Sequence, residues 1–237
     1  MNTQLLLFLF LTIISFESVG QDMQTQSLPF FNKINYEGYG SIFLEPSDSP
    51  AIKIQSSNDF AQEHVRTEVR NETLYIWYDQ KSNLNTAFDH QRIDVYLYYP
   101  ELKHLALNGK IRIDGIHPIT TDHFSINATG DIALRLPVDV KNLTAKFNGV
   151  INAAFTGSVH HEVIQFTGKG SINTLGLTAK SAQINSDGKA EIYLPYIPSI
   201  QAIASGLSEI IYQKSPACRV NKIDPTLPNI KVNAKRL

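Results

Sequence analysis

The sequence has a single cysteine, Cys218, among 237 residues. One thiol can form neither an intramolecular disulfide nor a zinc site built on cysteine pairs, so stability must come from burial and backbone pairing. An excess of charge is missing as well, because 21 Lys and Arg stand against 22 Asp and Glu. That balance speaks against nucleic acid and against an anionic membrane surface as partners. Helical signatures are scarce: beyond the first twenty residues no stretch combines a 3.6-residue apolar period with a cap and a stop. The one helical turn the sequence suggests lies near Asn58 to Glu63. No apolar run reaches the roughly 20 residues that a membrane-spanning helix requires.

The longest apolar run, Leu5 to Phe16, is uncharged and gives way to Ser18, Val19 and Gly20. A short apolar core followed by small residues is the pattern of a secretory signal peptide. Residues 1–20 are therefore expected to be removed after Gly20, leaving Gln21 first. Their removal takes away Glu17 and no base, so the mature chain carries no formal net charge. No cysteine adjoins the cleavage site to carry a thioether-linked lipid, and the mature chain is expected to be soluble without a membrane span.

What the chain does have is a repeat. A polar residue precedes glycine at Asn108-Gly109, Thr129-Gly130, Asn148-Gly149, Thr167-Gly168, Asp187-Gly188 and Ser205-Gly206, at intervals of 21, 19, 19, 20 and 18 residues. Apolar residues recur at fixed offsets before these glycines: Leu105/Leu107, Ile126/Ala128, Ala145/Phe147, Ile164/Phe166 and Ile184/Ser186. A second apolar run follows each one, as in Ile111/Ile113, Ile132/Leu134 and Ile192/Leu194. Side chains two apart share one face of a strand, so each unit reads as strand, glycine corner, strand.

Glycine accepts positive φ, and a preceding Asn, Asp, Ser or Thr can bond nearby backbone. The same signal marks β-hairpins. A constant period and units too small to bury their own apolar face favour a solenoid instead. The reading is all-β: a right-handed β-helix or β-solenoid with rungs of about 20 residues over 102–214. Right-handedness is preferred because the strict six-residue period of left-handed β-helices is absent. An N-terminal linker (21–28), a β-rich part with longer strands (29–101) and a C-terminal cap or tail (215–237) complete the organisation. The polar segment Asp79 to Gln91 is expected to be an exposed loop.

Phe31-Asn32-Lys33-Ile34, Asn71-Glu72-Thr73-Leu74-Tyr75-Ile76 and Val95-Tyr96-Leu97-Tyr98-Tyr99-Pro100-Glu101-Leu102 precede the repeats, which include Gly149-Val150-Ile151-Asn152 and Gly168-Lys169-Gly170-Ser171-Ile172-Asn173. With these segments the chain resembles, over residues 29–214, the family described as putative auto-transporter adhesin, head GIN domain, common in exported Bacteroidetes proteins. The resemblance implies a β-helix, export and an adhesin-like role. An auto-transporter barrel needs many membrane strands, and the twenty-odd residues after Tyr212 are too few for one. Surface attachment is therefore expected to come from a partner.

Chemistry-bearing constellations are sparse, and no catalytic, cofactor or metal residues are assigned. Asp131 and Glu191 come closest to the paired carboxylates of a polysaccharide-active β-helix enzyme, but they occupy different offsets from their glycines. Asp114, Asp122 and Asp139 read as lone carboxylates near corners, bonding turn backbone. His160-His161-Glu162 is metal-like in composition, but adjacent residues of a strand face opposite sides, and an exposed loop is the expectation. Ser41, Ser158 and Ser171 adjoin glycine outside any Gly-x-Ser-x-Gly nucleophile elbow. The strongest candidate is aromatic: Tyr75 and Trp77 alternate with Leu74, Ile76 and Tyr78, and Tyr96 and Tyr98 alternate with Val95, Leu97 and Tyr99. If the first set points outward it forms a binding face for a glycan or an envelope or cell-surface protein. A polysaccharide-active enzyme and a self-associating structural protein are the alternatives.

Overall fold

The computed structural model describes residues 25–56, 64–79, 93–213, 219–222 and 230–233, the last two stretches as backbone. The expected signal peptide, the expected turn at 58–63, nearly all of the polar segment from Asp79 to Gln91 and Cys218 lie outside them. The described residues form an all-β structure, one open sheet of twelve strands. The N-terminal strands are β1 (Gln26–Ser27), β2 (Lys33–Pro46), β3 (Ala51–Ser56), β4 (Val65–Arg70), β5 (Thr73–Tyr78) and β6 (Ile93–Tyr99). Then come β7 (His104–Gly115), β8 (Ile119–Leu194), β9 (Ser199–Gly206), β10 (Glu209–Gln213), β11 (Arg219–Lys222) and β12 (Ile230–Asn233).

Strand pairing follows the sequence repeat. β7 runs parallel to β8 with Leu105 beside Ile126, Gly109 beside Gly130 and Ile113 beside Leu134. β8 pairs in parallel with β9, Gly188 beside Gly206, and with β10, Ile192 beside Ile210. The pattern continues past Tyr212, since β12 sets Ile230 beside Ile210 and β11 sets Val220 beside Ile200. Parallel pairing one repeat apart rules out hairpins folded about these glycines, which would pair antiparallel. The glycines instead bend the chain within the ladder, and β8 runs 76 residues without a break.

Gly109, Gly130, Gly149, Gly168 and Gly188 have φ of +134°, +117°, +120°, +128° and +119°, and Gly206 has +67°. They stack directly on one another, so that a Cβ on any of the later five would overlap the carbonyl oxygen of the glycine one repeat before. Two constraints thus coincide, since both the backbone angle and the space exclude a side chain.

The core is built of columns, one residue from each repeat. Four residues before each glycine stand Ile34, Leu105, Ile126, Ala145, Ile164, Ile184 and Ala202, all buried. Full burial of such an aliphatic side chain contributes about 1.5–3 kcal/mol, and no unit could achieve it without neighbours on both sides. After Gly149, Ile151 is buried and Val150 exposed.

The N-terminal part changes character. β3 pairs antiparallel with β6, β4 with β5, and β1 with β3. β4 and β5 are joined by Asn71 and Glu72, with φ of +50° and +58°, the two-residue hairpin turn that matches strand twist. Glu72 is held there from both ends: its carbonyl accepts the backbone N–H groups of Asn32 and Lys33, and its carboxylate accepts from Asn32 Nδ2 at 3.0 Å. β5 and β6 pair in parallel with β2, so the ladder runs through them and is continued at this end by the antiparallel β4 and β3.

Because Gly149 combines φ near +120° with contact to the previous glycine, Gly149→Ala is expected to cost about 3 kcal/mol or more. Exposed Asn148→Ala should stay within about 0.5 kcal/mol. Denaturant midpoints of the two variants make the comparison, and equal midpoints would refute the stacking argument.

Candidate functional site

The alternation in β5 and β6 sorts the aromatic side chains. Leu74, Ile76 and Tyr78 are buried, while Tyr75 is half-buried and Trp77 is 36% exposed. Val95, Leu97 and Tyr99 are buried, while Tyr96 and Tyr98 are half-buried. The two outward pairs do not meet. β5 runs beside the first part of β2, Asn35 next to Tyr75, and β6 beside its second part, Phe43 next to Tyr96 and Glu45 next to Tyr98. Between these parts β2 bends at Gly38 (φ +146°) and Gly40 (φ +125°).

Three tyrosines lock that bend. The hydroxyls of Tyr36 and Tyr78 each donate to the carbonyl of Tyr39 at 2.7 Å and lie 2.9 Å from each other. The Tyr39 ring stacks on that of Tyr78 at 4.6 Å. Burial holds all three hydroxyls protonated far above the usual phenol range. With one ring pressed on another and the Tyr36 and Tyr78 hydroxyls hydrogen-bonded to the Tyr39 carbonyl, the two halves of β2 keep a fixed angle.

Each outward aromatic pair has partners that the sequence reading missed. Beside Tyr75 the Arg70 guanidinium lies 4.2 Å from the ring centroid, and a shallow groove of about 260 Å³ is lined by Asn35, Glu37, Glu68, Arg70, Tyr75 and Trp77. Tyr96 stacks on Phe43 at 4.8 Å with rings 17° apart, and Lys53 Nζ lies 5.6 Å from its centroid. The Asn71-Glu72 turn could have indicated the β4–β5 register and hence Arg70. Nothing local ties Phe43 to Tyr96, which are 53 residues apart and joined by a parallel pairing.

Other candidates are resolved differently. Asp131 lies beside Lys110 one repeat before it. Glu191 lies beside Glu209 and accepts a hydrogen bond from the Tyr193 hydroxyl, which raises that phenol. Gly149 and Gly168 stand between their repeats in the stack, so the two carboxylates do not converge. The three aspartates read as bonding turn backbone pair instead with side chains. Asp122 meets Lys141 at 2.9 Å, which lowers its carboxyl pKa, and Asp139 accepts from Ser158 Oγ at 2.5 Å. Asp114 sits 3.8 Å from Arg112 and 4.0 Å from Arg135.

His160-His161-Glu162 is no exposed loop; it lies inside β8. His160 and His161 are exposed, and His161 Nδ1 is 2.6 Å from Ser181 Oγ. Glu162 points inward at 1% exposure, with neither carboxyl oxygen hydrogen-bonded. The register held the signal, for Glu162 stands six residues before Gly168, as Phe124, Leu143, Ala182 and Ile200 stand before theirs, and all are buried. Burial pushes its pKa up to about 8. Among the described residues no three His, Cys, Asp or Glu side chains gather as metal ligands would.

A family model described as "Putative auto-transporter adhesin, head GIN domain" matches residues 30–216. No curated protein matches the chain. Among solved structures, a putative adhesin from Bacteroides fragilis NCTC 9343 superposes with TM-score 0.74 at 20% identity, over 84% of this chain and 91% of that one. A putative lipid binding protein from Parabacteroides distasonis ATCC 8503 gives TM-score 0.61 at 17% identity, over 88% and 93%. A putative adhesin from Parabacteroides merdae ATCC 43184 gives 0.53 at 17%, over 88% and 93%. At these identities the likeness is one of fold.

Glu162 makes stability depend on pH. Its folded pKa, about 8, lies above the ordinary 4.5, so the folded state holds the proton more tightly. Its contribution is fully present below about pH 4.5 and falls by about 1.4 kcal/mol per unit as pH rises toward about 8. Glu162→Gln should flatten this slope in urea midpoints taken between about pH 5 and pH 8. An unchanged slope would show that Glu162 ionises freely.

Proposed function

This chain belongs to the putative auto-transporter adhesin, head GIN domain family, and from that premise we propose that it is a non-catalytic, exported binding module of the periplasm or cell surface. The chain winds as a right-handed β-solenoid with turns of about twenty residues and presents its outward side chains to a glycan or to an envelope or cell-surface protein. The observation that carries this reading is the outward placement of two aromatic pairs, Tyr75/Trp77 and Tyr96/Tyr98, on a sheet whose glycine stack and tyrosine lock hold it rigid.

Polar side chains extend the first of these faces. Asn35 neighbours Ala106, which neighbours Asn127, and Lys146, Gln165 and Asn185 follow at the same offset, all exposed. Exposed Asn108, Thr129, Asn148, Thr167 and Asp187 form a second row beside the glycines. Such rows repeat donors and acceptors at the strand spacing of about 4.8 Å, and aromatic rings with a polar tip suit a partner that is part apolar and part wet. Carboxylates that do not converge support a binding role over a hydrolytic one.

Residues 1–20 direct export. Mass spectrometry of the exported protein should find Gln21 at its N-terminus, and an intact Met1 would refute the cleavage. For binding, Tyr75→Ala/Trp77→Ala and Tyr96→Ala/Tyr98→Ala are tested separately, because the bend in β2 parts them. On an array of glycans and envelope proteins at least one double variant should bind about tenfold more weakly or worse with its fold intact by circular dichroism. Wild-type binding by both would remove the aromatic faces from the function.

A further inference from the structure

The second aromatic pair opens onto a trough that the family assignment leaves without a role. Strand register places Lys53, Tyr96, Phe43, Asp114 and Arg135 side by side in one row crossing five strands. Ser41, Arg112 and Ala133 form the neighbouring row. At about 4.8 Å per strand, the first row spans roughly 19 Å. Beyond it a depression of about 310 Å³ is walled by Arg112, Asp114 and Arg135 and floored by Ala133, Asn152 and Ala154.

Within these two rows Lys53, Arg112 and Arg135 stand against one accessible carboxylate, Asp114, and one buried carboxyl, Asp94, while a second accessible carboxylate, Glu45, flanks the rows beside Tyr98. The two guanidinium groups approach Asp114 only through Nε, at 3.8 and 4.0 Å, beyond hydrogen-bond reach. Asp114 therefore draws both arginines to the trough without occupying their donors. The Arg112 and Arg135 side chains are 58% and 73% exposed, and their planar forks match a carboxylate or sulfate in bidentate geometry.

We propose that this trough binds an acidic polysaccharide lying across the strands, with a sugar ring packed on the Phe43–Tyr96 stack and its anionic groups on Arg112 and Arg135. The inference rests on the binding-module reading and names the ligand class for one of its faces. A row of stacked rings followed by paired cations needs a ligand that alternates apolar ring faces with fixed negative charge along a line, as a uronate chain does. Nucleic acid shares the charge and the rings, but a chain with 21 bases against 22 acids lacks the broad positive field that draws a phosphate backbone.

The test uses the mature protein, titrated calorimetrically with oligogalacturonate, with its methyl ester and with oligothymidylate. Oligogalacturonate should bind and weaken as salt rises, and the neutral ester should bind about tenfold more weakly. Arg112→Gln/Arg135→Gln, two exposed changes that spare the core, should lose about the same factor with an unchanged thermal midpoint. Equal binding of acid and ester, equal binding of oligothymidylate, or undiminished binding by the arginine variant would overturn the proposal. A protein that binds neutral glycans or an envelope protein but not oligogalacturonate overturns the trough alone. One that binds nothing on the array removes the binding-module reading with it.

Discussion

The contact on which the rest depends is glycine against glycine. From Gly109 to Gly206 the carbonyl of one glycine fills the space where the next would carry a Cβ, so the bends of successive repeats lie directly on one another. A bend stacked without offset leaves the flanking residues one possible register. The apolar offsets before and after each glycine then coincide, and the columns from Ile34 to Ala202 close into a continuous core.

The same register decides the outer surface. Side chains between the buried ones are forced outward at the spacing of the strands, so every outward position becomes a row running along the stack. A row can gather residues far apart in sequence, as Phe43 and Tyr96 show, or hold ion pairs one repeat apart, as Asp122 and Lys141 do. Each outward row thus carries its own set of side chains along the stack. Glu162 is the inward counterpart: the register buries a carboxyl among apolar neighbours in place of an aliphatic group, at a cost the neighbouring repeats must offset.

Conformational order at the N-terminal end comes from a different source. There the parallel ladder meets antiparallel strands, and the tyrosine lock at Tyr36, Tyr39 and Tyr78 fixes the angle between two directions of β2. One half of β2 supports Tyr75 through β5, and the other supports Tyr96 through β6. The lock thus separates two surfaces that the alternation of β5 and β6 alone would leave as one candidate face.

Much of this was legible in the sequence, because a period-2 alternation read through a period near twenty needs only local information. The all-β class, the six glycine positions and even the burial of Glu162 follow from counting offsets to the nearest glycine, whereas the alternation in β5 and β6, where no glycine falls, defines two faces without saying which one is buried. What counting cannot supply is which strand lies beside which when the pairing spans tens of residues without a turn between them. That Phe43 stacks on Tyr96, that Arg112 and Arg135 share Asp114, and that Trp77 and Tyr98 lie on either side of a bend were decided only by the tertiary structure. Parallel pairing is set by the closure of the whole stack and not by any adjacent pair of residues.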